Sequence, residues 1–144
     1  MRKLAKLLSL LLIAVLLIAS AGCSREKKIT IGIIQLADHV ALDNARNGFI
    51  DALRDNGYVD GENITIDYQN AQGDQSNLSA ISDRFVSNKV DLVLAIATGA
   101  AQSIAGRTKD IPIVCTAITD YVSAKLADSN ERPGGNVTGT TDMN

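Results

Sequence analysis

The apolar positions of this chain fall into two patterns. Short dense runs rich in β-branched residues occur at residues 29–35 (ITIGIIQ), 90–96 (VDLVLAI) and 113–117 (IVCTA). Runs of this kind mark strands buried on both faces, as in a parallel sheet covered by helices. Residues 63–69 alternate instead, with Ile64, Ile66 and Tyr68 on one side and Thr65 and Asp67 on the other. That pattern predicts a strand nearer the sheet edge. Between these runs the spacing turns helical. Leu42, Ala45, Phe49 and Leu53, widened by Ile50 and Ala52, make the stripe of a helix over 40–56, with Asp43, Arg46, Asp51, Arg54 and Asp55 facing outward. Gly57 is placed to end it in the left-handed conformation. Asp74 is the expected cap of a second helix, which buries Leu78, Ile81, Phe85 and Val86 and closes at 88–89. A third helix is expected over 99–107, a short helical piece over 122–127, and a last strand over 136–140.

The order βαβαβαβ with short connections predicts an α/β fold, a parallel sheet with helices on both faces. The carboxyl ends of all its strands must then share one edge. Strands one, three and four end in Asp38-His39, Thr98-Gly99 and Asp120-Tyr121. In open α/β sheets that edge is where ligands bind. The stretch 90–102 (VDLVLAIATGAAQ) carries the clearest chemistry, a central strand running into a helix start. Free N–H groups there favour a carboxylate or another anion. Gly99 and Ala100 let a ligand approach the backbone closely. Taken alone, the stretch reads more readily as a Thr98 cap and a Gly99 turn, since small residues at such turns are ordinary. The convergence of three such loops on one edge favours the ligand reading.

The amino end changes the setting. Residues 1–6 are basic, 7–19 are apolar apart from Ser9, and Ser20-Ala21-Gly22 precede Cys23. This is the layout of a secretory signal peptide, and the apolar run is short for a spanning helix. Ala-Gly-Cys resembles a bacterial lipobox, although Ser20 stands where a branched apolar residue is usual. The expected layout is therefore a lipoprotein signal at 1–22, lipidation at Cys23, a polar tether over 23–28, and a single lobe over 29–144. Acyl chains would hold such a protein on the outer face of the cytoplasmic membrane without spanning it. Removing Arg2, Lys3 and Lys6 from the 14 basic residues leaves 11 against 16 acidic ones. A mildly acidic body with no basic run, no Trp and only five other aromatics argues against nucleic-acid binding. The second cysteine, Cys115, lies in an apolar run and reads as a buried small hydrophobe.

Several chemistries lack their residues. No GxGxxG follows the first strand, and there is no Walker lysine, no GxSxG elbow, no CxxC and no metal-ligand spacing. His39 is the only histidine, and no nucleophile can be assigned to it. It reads as a loop residue bonded to a ligand or to the backbone. Asp91 reads as a strand-start residue that satisfies loop amides. Neither a catalytic set nor a cofactor is expected.

Four stretches together resemble the substrate-binding lipoproteins of ABC importers, in the group whose ligands include aromatic amino acids. They are IGIIQLADHVALDNARNGFIDALRDNGYVDGENITIDYQNAQGD, VDLVLAIATGAAQ, KDIPIVCTAITDYV and PGGNVTGTTD, and the resemblance runs from about Ile29 to Asp142. The resemblance implies the first lobe of a two-lobed, type I periplasmic-binding-protein-like fold that closes on a small ligand. It implies no catalysis, and delivery of the ligand to a permease driven by an ATPase. Carried over by position, the cleft residues are Gln35, Asp38 and His39, then Thr98, Gly99, Ala100 and Ala101, then Thr119, Asp120 and Tyr121. The α-carboxylate of an amino acid would sit at 98–101, and Asp120 or Asp38 would meet its ammonium. The family usually has Pro where this chain has Val40, Gly99 and Tyr121, so the site is expected to be looser or reshaped and Tyr121 to add bulk to the cleft. The chain ends near the family's crossover to the second lobe, which is the expectation for a gene fragment or a truncated product. The rival readings are a flavodoxin-like signalling module, a lipid-tethered surface interaction module or adhesin, a non-functional truncated product, and an α/β enzyme.

Overall fold

The structure, a computed structural model, describes residues 28–142. The expected leader, Cys23 and the tether as far as residue 27 lie outside the described residues. Five strands form one parallel sheet: β1 (Ile29–Gln35), β2 (Ile64–Asn70), β3 (Leu92–Ile96), β4 (Ile113–Ile118) and β5 (Val137–Thr141). Their spatial order is β2-β1-β3-β4-β5. The alternating strand is therefore an edge, and the stretch at 92–96 is the centre. The helices are α1 (Val40–Asp55), α2 (Gln75–Asn88) and α3 (Thr98–Ala105).

Burial explains the layering. Ile31, Ile33, Ile64, Leu94 and Ile96 face α1, where Leu42, Phe49, Ile50 and Leu53 cover them. Ile34, Val93, Ala95, Ile113 and Cys115 face the other way, into a core with Leu78 and Phe85 of α2 and Ala100, Ala101 and Ile104 of α3. A buried bond between the Ser82 and Ser103 hydroxyls, 2.9 Å long, joins α2 to α3. Gly32 lies beneath Phe85: a Cβ there would come within 2.8 Å of the ring. Only glycine lets the ring lie that close to the strand.

The helix ends follow their side chains. Gly57 adopts φ +85°, and the bonds Gly57 N–H to Arg54 C=O and Tyr58 N–H to Leu53 C=O close α1 in a Schellman motif. Asp74 caps α2 by accepting from the Asn77 amide. Asp91 accepts from the Thr30 amide at 2.9 Å, joining β3 to β1 where β3 begins.

Three expectations fail locally. Residues 122–127 form no helix: one turn closes from Tyr121 to Leu126, and Lys125 breaks it at φ +57°. α3 stops at Ala105, because Arg107 N–H turns back to Ile104 C=O. Thr98 does not cap α3; the cap position is Ala97, and no side chain bonds the helix start.

Candidate functional site

The order β2-β1-β3 reverses the direction of winding between β1 and β3. Loops diverge at such a switch point and leave a crevice at the carboxyl edge. There β1 ends at Gln35, β3 at Ile96 and β4 at Ile118. The loop after β3 is the tightest of the three. Ala97 takes φ +79°, ψ 154°, a conformation that costs a side-chain-bearing residue about 1–3 kcal/mol. Its N–H donates to Thr116 C=O, and its own C=O accepts the first helical bond, from Ala101. The amides of Thr98, Gly99 and Ala100 therefore precede the helical ladder, with no side chain capping them. Ala117 at the end of β4 also has positive φ, +54°. Gly99 is not required for packing, since a Cβ there would make only ordinary contacts, 3.5 Å to Leu36 and 3.7 Å to Leu78.

Beside this helix start lies an open depression of about 530 Å³ lined by Thr98, Gln102, Thr119, Asp120, Ser123 and Ala124. Three expected site residues meet here. The Asp120 carboxylate accepts from the Ser123 amide at 2.5 Å. That backbone bond is the main reason its carboxyl stays below the usual carboxylate range. Asp120 thus remains ionised beside uncapped amides. Gln102 anchors the rim by donating to Ala124 C=O at 3.0 Å. Gln102 and Ser123 escaped the sequence reading. The signal for them is spacing: Gln102 lies one helical turn beyond Thr98, and Ser123 lies three residues after a capping Asp.

Other expected residues are placed differently. Ala100 and Ala101 are fully buried beneath the helix start, so only their backbone is available to a ligand. Gln35 is fully buried and its amide is engaged: Nε2 donates to Ala37 C=O and to Asp43, and Oε1 accepts from Arg46, each at 2.9 Å. It shapes the β1–α1 loop from beneath. His39 caps α1, its Nδ1 accepting from the Ala41 amide at 3.2 Å. Asp38 is exposed and accepts from Asn70. Tyr121 adds no bulk to the depression: it is 5% exposed and packs into the core. Its hydroxyl lies 3.2 Å from both Cys115 C=O and Thr140 C=O. The β4–β5 register shifts there, and Gly139 leaves the room, since a Cβ would fall 2.4 Å from that hydroxyl. A smaller hollow of about 140 Å³ lies over β5 against Tyr121, Ala127 and Pro133, away from the β1 and β3 loops. Among the described residues no group of His, Cys, Asp and Glu is arranged to hold a metal.

A parallel sheet of this order, with its loops converging beside an uncapped helix start, is the first lobe of a two-lobed ligand-binding protein of the substrate-binding class. Residues 30–144 match the family described as ABC transporter substrate binding protein, and the chain belongs to that family. It is 48% identical to a tyrosine-binding protein of Clostridioides difficile (strain R20291), over 95% of this chain and 44% of that one. A substrate-binding protein with adhesive properties from Clostridium difficile, solved ligand-free and open, superposes with a TM-score of 0.79 at 51% identity, over 80% of this chain and 39% of the other. A Streptococcus pneumonia protein solved with L-Trp gives 0.78 at 43%, over 81% and 39%. The chain thus spans less than half the length of these relatives. They are substrate-binding proteins, not enzymes, and the family works outside the cytoplasm with an ABC transporter. The flavodoxin-like and enzyme readings are set aside by these matches. Among the described residues no helix is long and apolar enough to cross a membrane.

Proposed function

We propose that the full protein containing this lobe captures an aromatic L-amino acid outside the cytoplasmic membrane and delivers it to a permease powered by an ATPase. The observation that carries this reading is the pairing of an uncapped helix start at 98–100 with the ionised Asp120 across one depression. Amides and carboxylates along one edge suit a zwitterion: the amides take the α-carboxylate, and Asp120 or Asp38 takes the ammonium. Asp38 and His39 follow β1 at the same sheet edge, and Thr119 lines the depression. Gln35 and Tyr121 support those loops from below. The aromatic side chain would be enclosed by a second lobe, and hinge closure would supply most of the burial. Relatives that bind tyrosine and L-Trp support the ligand class. Acylation of Cys23 would tether the protein to the membrane, and changing Cys23 to Ala should release it from the membrane fraction.

Calorimetric titration of the full-length protein tests the ligand. L-tyrosine or L-tryptophan should bind, and tyramine or tryptamine, which lack the carboxylate, should bind at least about tenfold more weakly. Binding that ignores the carboxylate, or no binding of either amino acid, overturns the reading. A second reading, a tethered adhesive surface protein, draws on the relative with adhesive properties. Surface adhesion by the full-length protein without any amino-acid binding would favour it.

A further inference from the structure

We propose that Arg46, Tyr68 and Asn70 form a positioning chain that holds the Asp38 carboxylate for the ligand's ammonium; this rests on the amino-acid reading above. Asp38 is exposed on the β1–α1 loop, and its side-chain partner is the Asn70 amide Nδ2, at 2.5 Å. The orientation of Asn70 is fixed from its other side, because its Oδ1 accepts from the Gln72 backbone amide at 2.8 Å. Nδ2 therefore faces Asp38, and it also reaches the Tyr68 hydroxyl at 3.3 Å. That hydroxyl accepts from Arg46 at 2.7 Å, and the guanidinium lies 4.5 Å from the centre of the Tyr68 ring. The same Arg46 nitrogen donates to Gln35 Oε1 and to Asp43 Oδ1, each at 2.9 Å. One guanidinium thus ties the last residue of β1, the first turn of α1 and the edge strand β2 together around the loop that carries Asp38.

The charge pattern makes this more than a structural tie. Arg46 is paired with Asp43, whose carboxyl is held below its ordinary range chiefly by the Gln35 amide and then by Arg46. Asp38 is held by a neutral amide and has no cationic partner among the described residues. A carboxylate held by a neutral amide has no counter-charge beside it, whereas one held by an arginine is already paired. The chain therefore orients Asp38 without quenching it.

A double-mutant cycle on the full-length protein tests this, using L-tyrosine or L-tryptophan, whichever the wild type binds. Tyr68→Phe keeps the ring and removes only the hydroxyl. It should weaken binding about threefold to tenfold, and Asp38→Ala should weaken it by more than about tenfold. The double variant should be no weaker than Asp38→Ala alone to within about twofold, because Tyr68 acts through Asp38. With 3-(4-hydroxyphenyl)propionate or 3-indolepropionate, matching aromatic acids that lack the ammonium, the Tyr68→Phe loss should vanish. Additive losses, or an equal loss with the acid lacking the ammonium, overturn the positioning chain and leave the ligand reading standing. Unchanged affinity in Asp38→Ala, with the wild type binding normally, overturns the chain and removes Asp38 from the ligand site.

Discussion

The two faces of this sheet are held in different ways. Under α2 and α3 the core closes fully: Phe85, Ile104, Ala100 and Ala101 are at 0% exposure and Leu78 at 1%. Under α1 the strand residues are equally buried, but no residue of the helix is. The side-chain hydrogen bonds that tie α1 to the sheet are concentrated toward its amino end, where Arg46, Asp43 and Gln35 interlock. Apolar burial is non-directional and sets how strongly an element is held. Hydrogen bonds are directional and set where its end lies. The α2–α3 face supplies stability, and the α1 face supplies the position of a ligand loop.

If that division is right, substitutions on the two faces should separate in size and in kind. The largest effect belongs to Phe85→Ala, which removes a fully buried ring and should cost about 3–5 kcal/mol in denaturant unfolding. Gly32→Ala drives a Cβ against the same ring and should cost about 1–3 kcal/mol. Phe49→Ala on the α1 face removes a half-buried ring and should cost less, about 1–2 kcal/mol. A loss at Phe49 equal to that at Phe85 would erase the contrast between the faces.

The smallest effects are pH-dependent, and they too divide by face. Burial pushes the Cys115 thiol, on the α2–α3 side, from 9.0 up to about 12. A raised pKa means the fold holds the proton longer than the unfolded chain does. Its contribution is complete below about pH 9 and is lost as pH rises toward 12. Tyr121, pushed up by burial and by Cys115, steepens the same alkaline limb. Asp43, on the α1 side, is lowered from 3.8, so its contribution is present above that value and is lost as pH falls through the folded pKa. Melting curves across pH should therefore show a flatter alkaline limb in Cys115→Ala and a flatter acid limb in Asp43→Asn.

What could be read from the chain follows the same line. The dense runs located three strands, alternation the edge strand, and the 3.6-residue stripes the helices, because burial repeats with local period; β5, mostly exposed, carries no such run. The edge position of β2 was visible in its alternation. Bonds between distant residues were not visible. Arg46 read as an outward charge, yet it meets Tyr68 22 residues away, and Asn70 meets Asp38 across 32. Positive φ at Ala97 and Ala117 was equally hidden, since alanine carries no signal for it. For the same reason Thr98 passed for a cap. Where the family usually has proline, His39 caps α1, and the Tyr121 hydroxyl bonds the loop after β4 to the sheet. These two loops are anchored by side-chain bonds, and the loop after β3 by the backbone bond from Ala97 N–H to Thr116 C=O.

The central claim is that the uncapped start of α3 takes the ligand's carboxylate beside Asp120. The direct measurement is the amide chemical shifts of Thr98, Gly99 and Ala100 in the full-length protein during titration with L-tyrosine or L-tryptophan. These amides should move together and saturate with the binding isotherm, and tyramine or tryptamine at matched occupancy should leave them largely in place. Saturated amino-acid binding with these three amides unmoved would contradict the claim and place the ligand elsewhere on the protein.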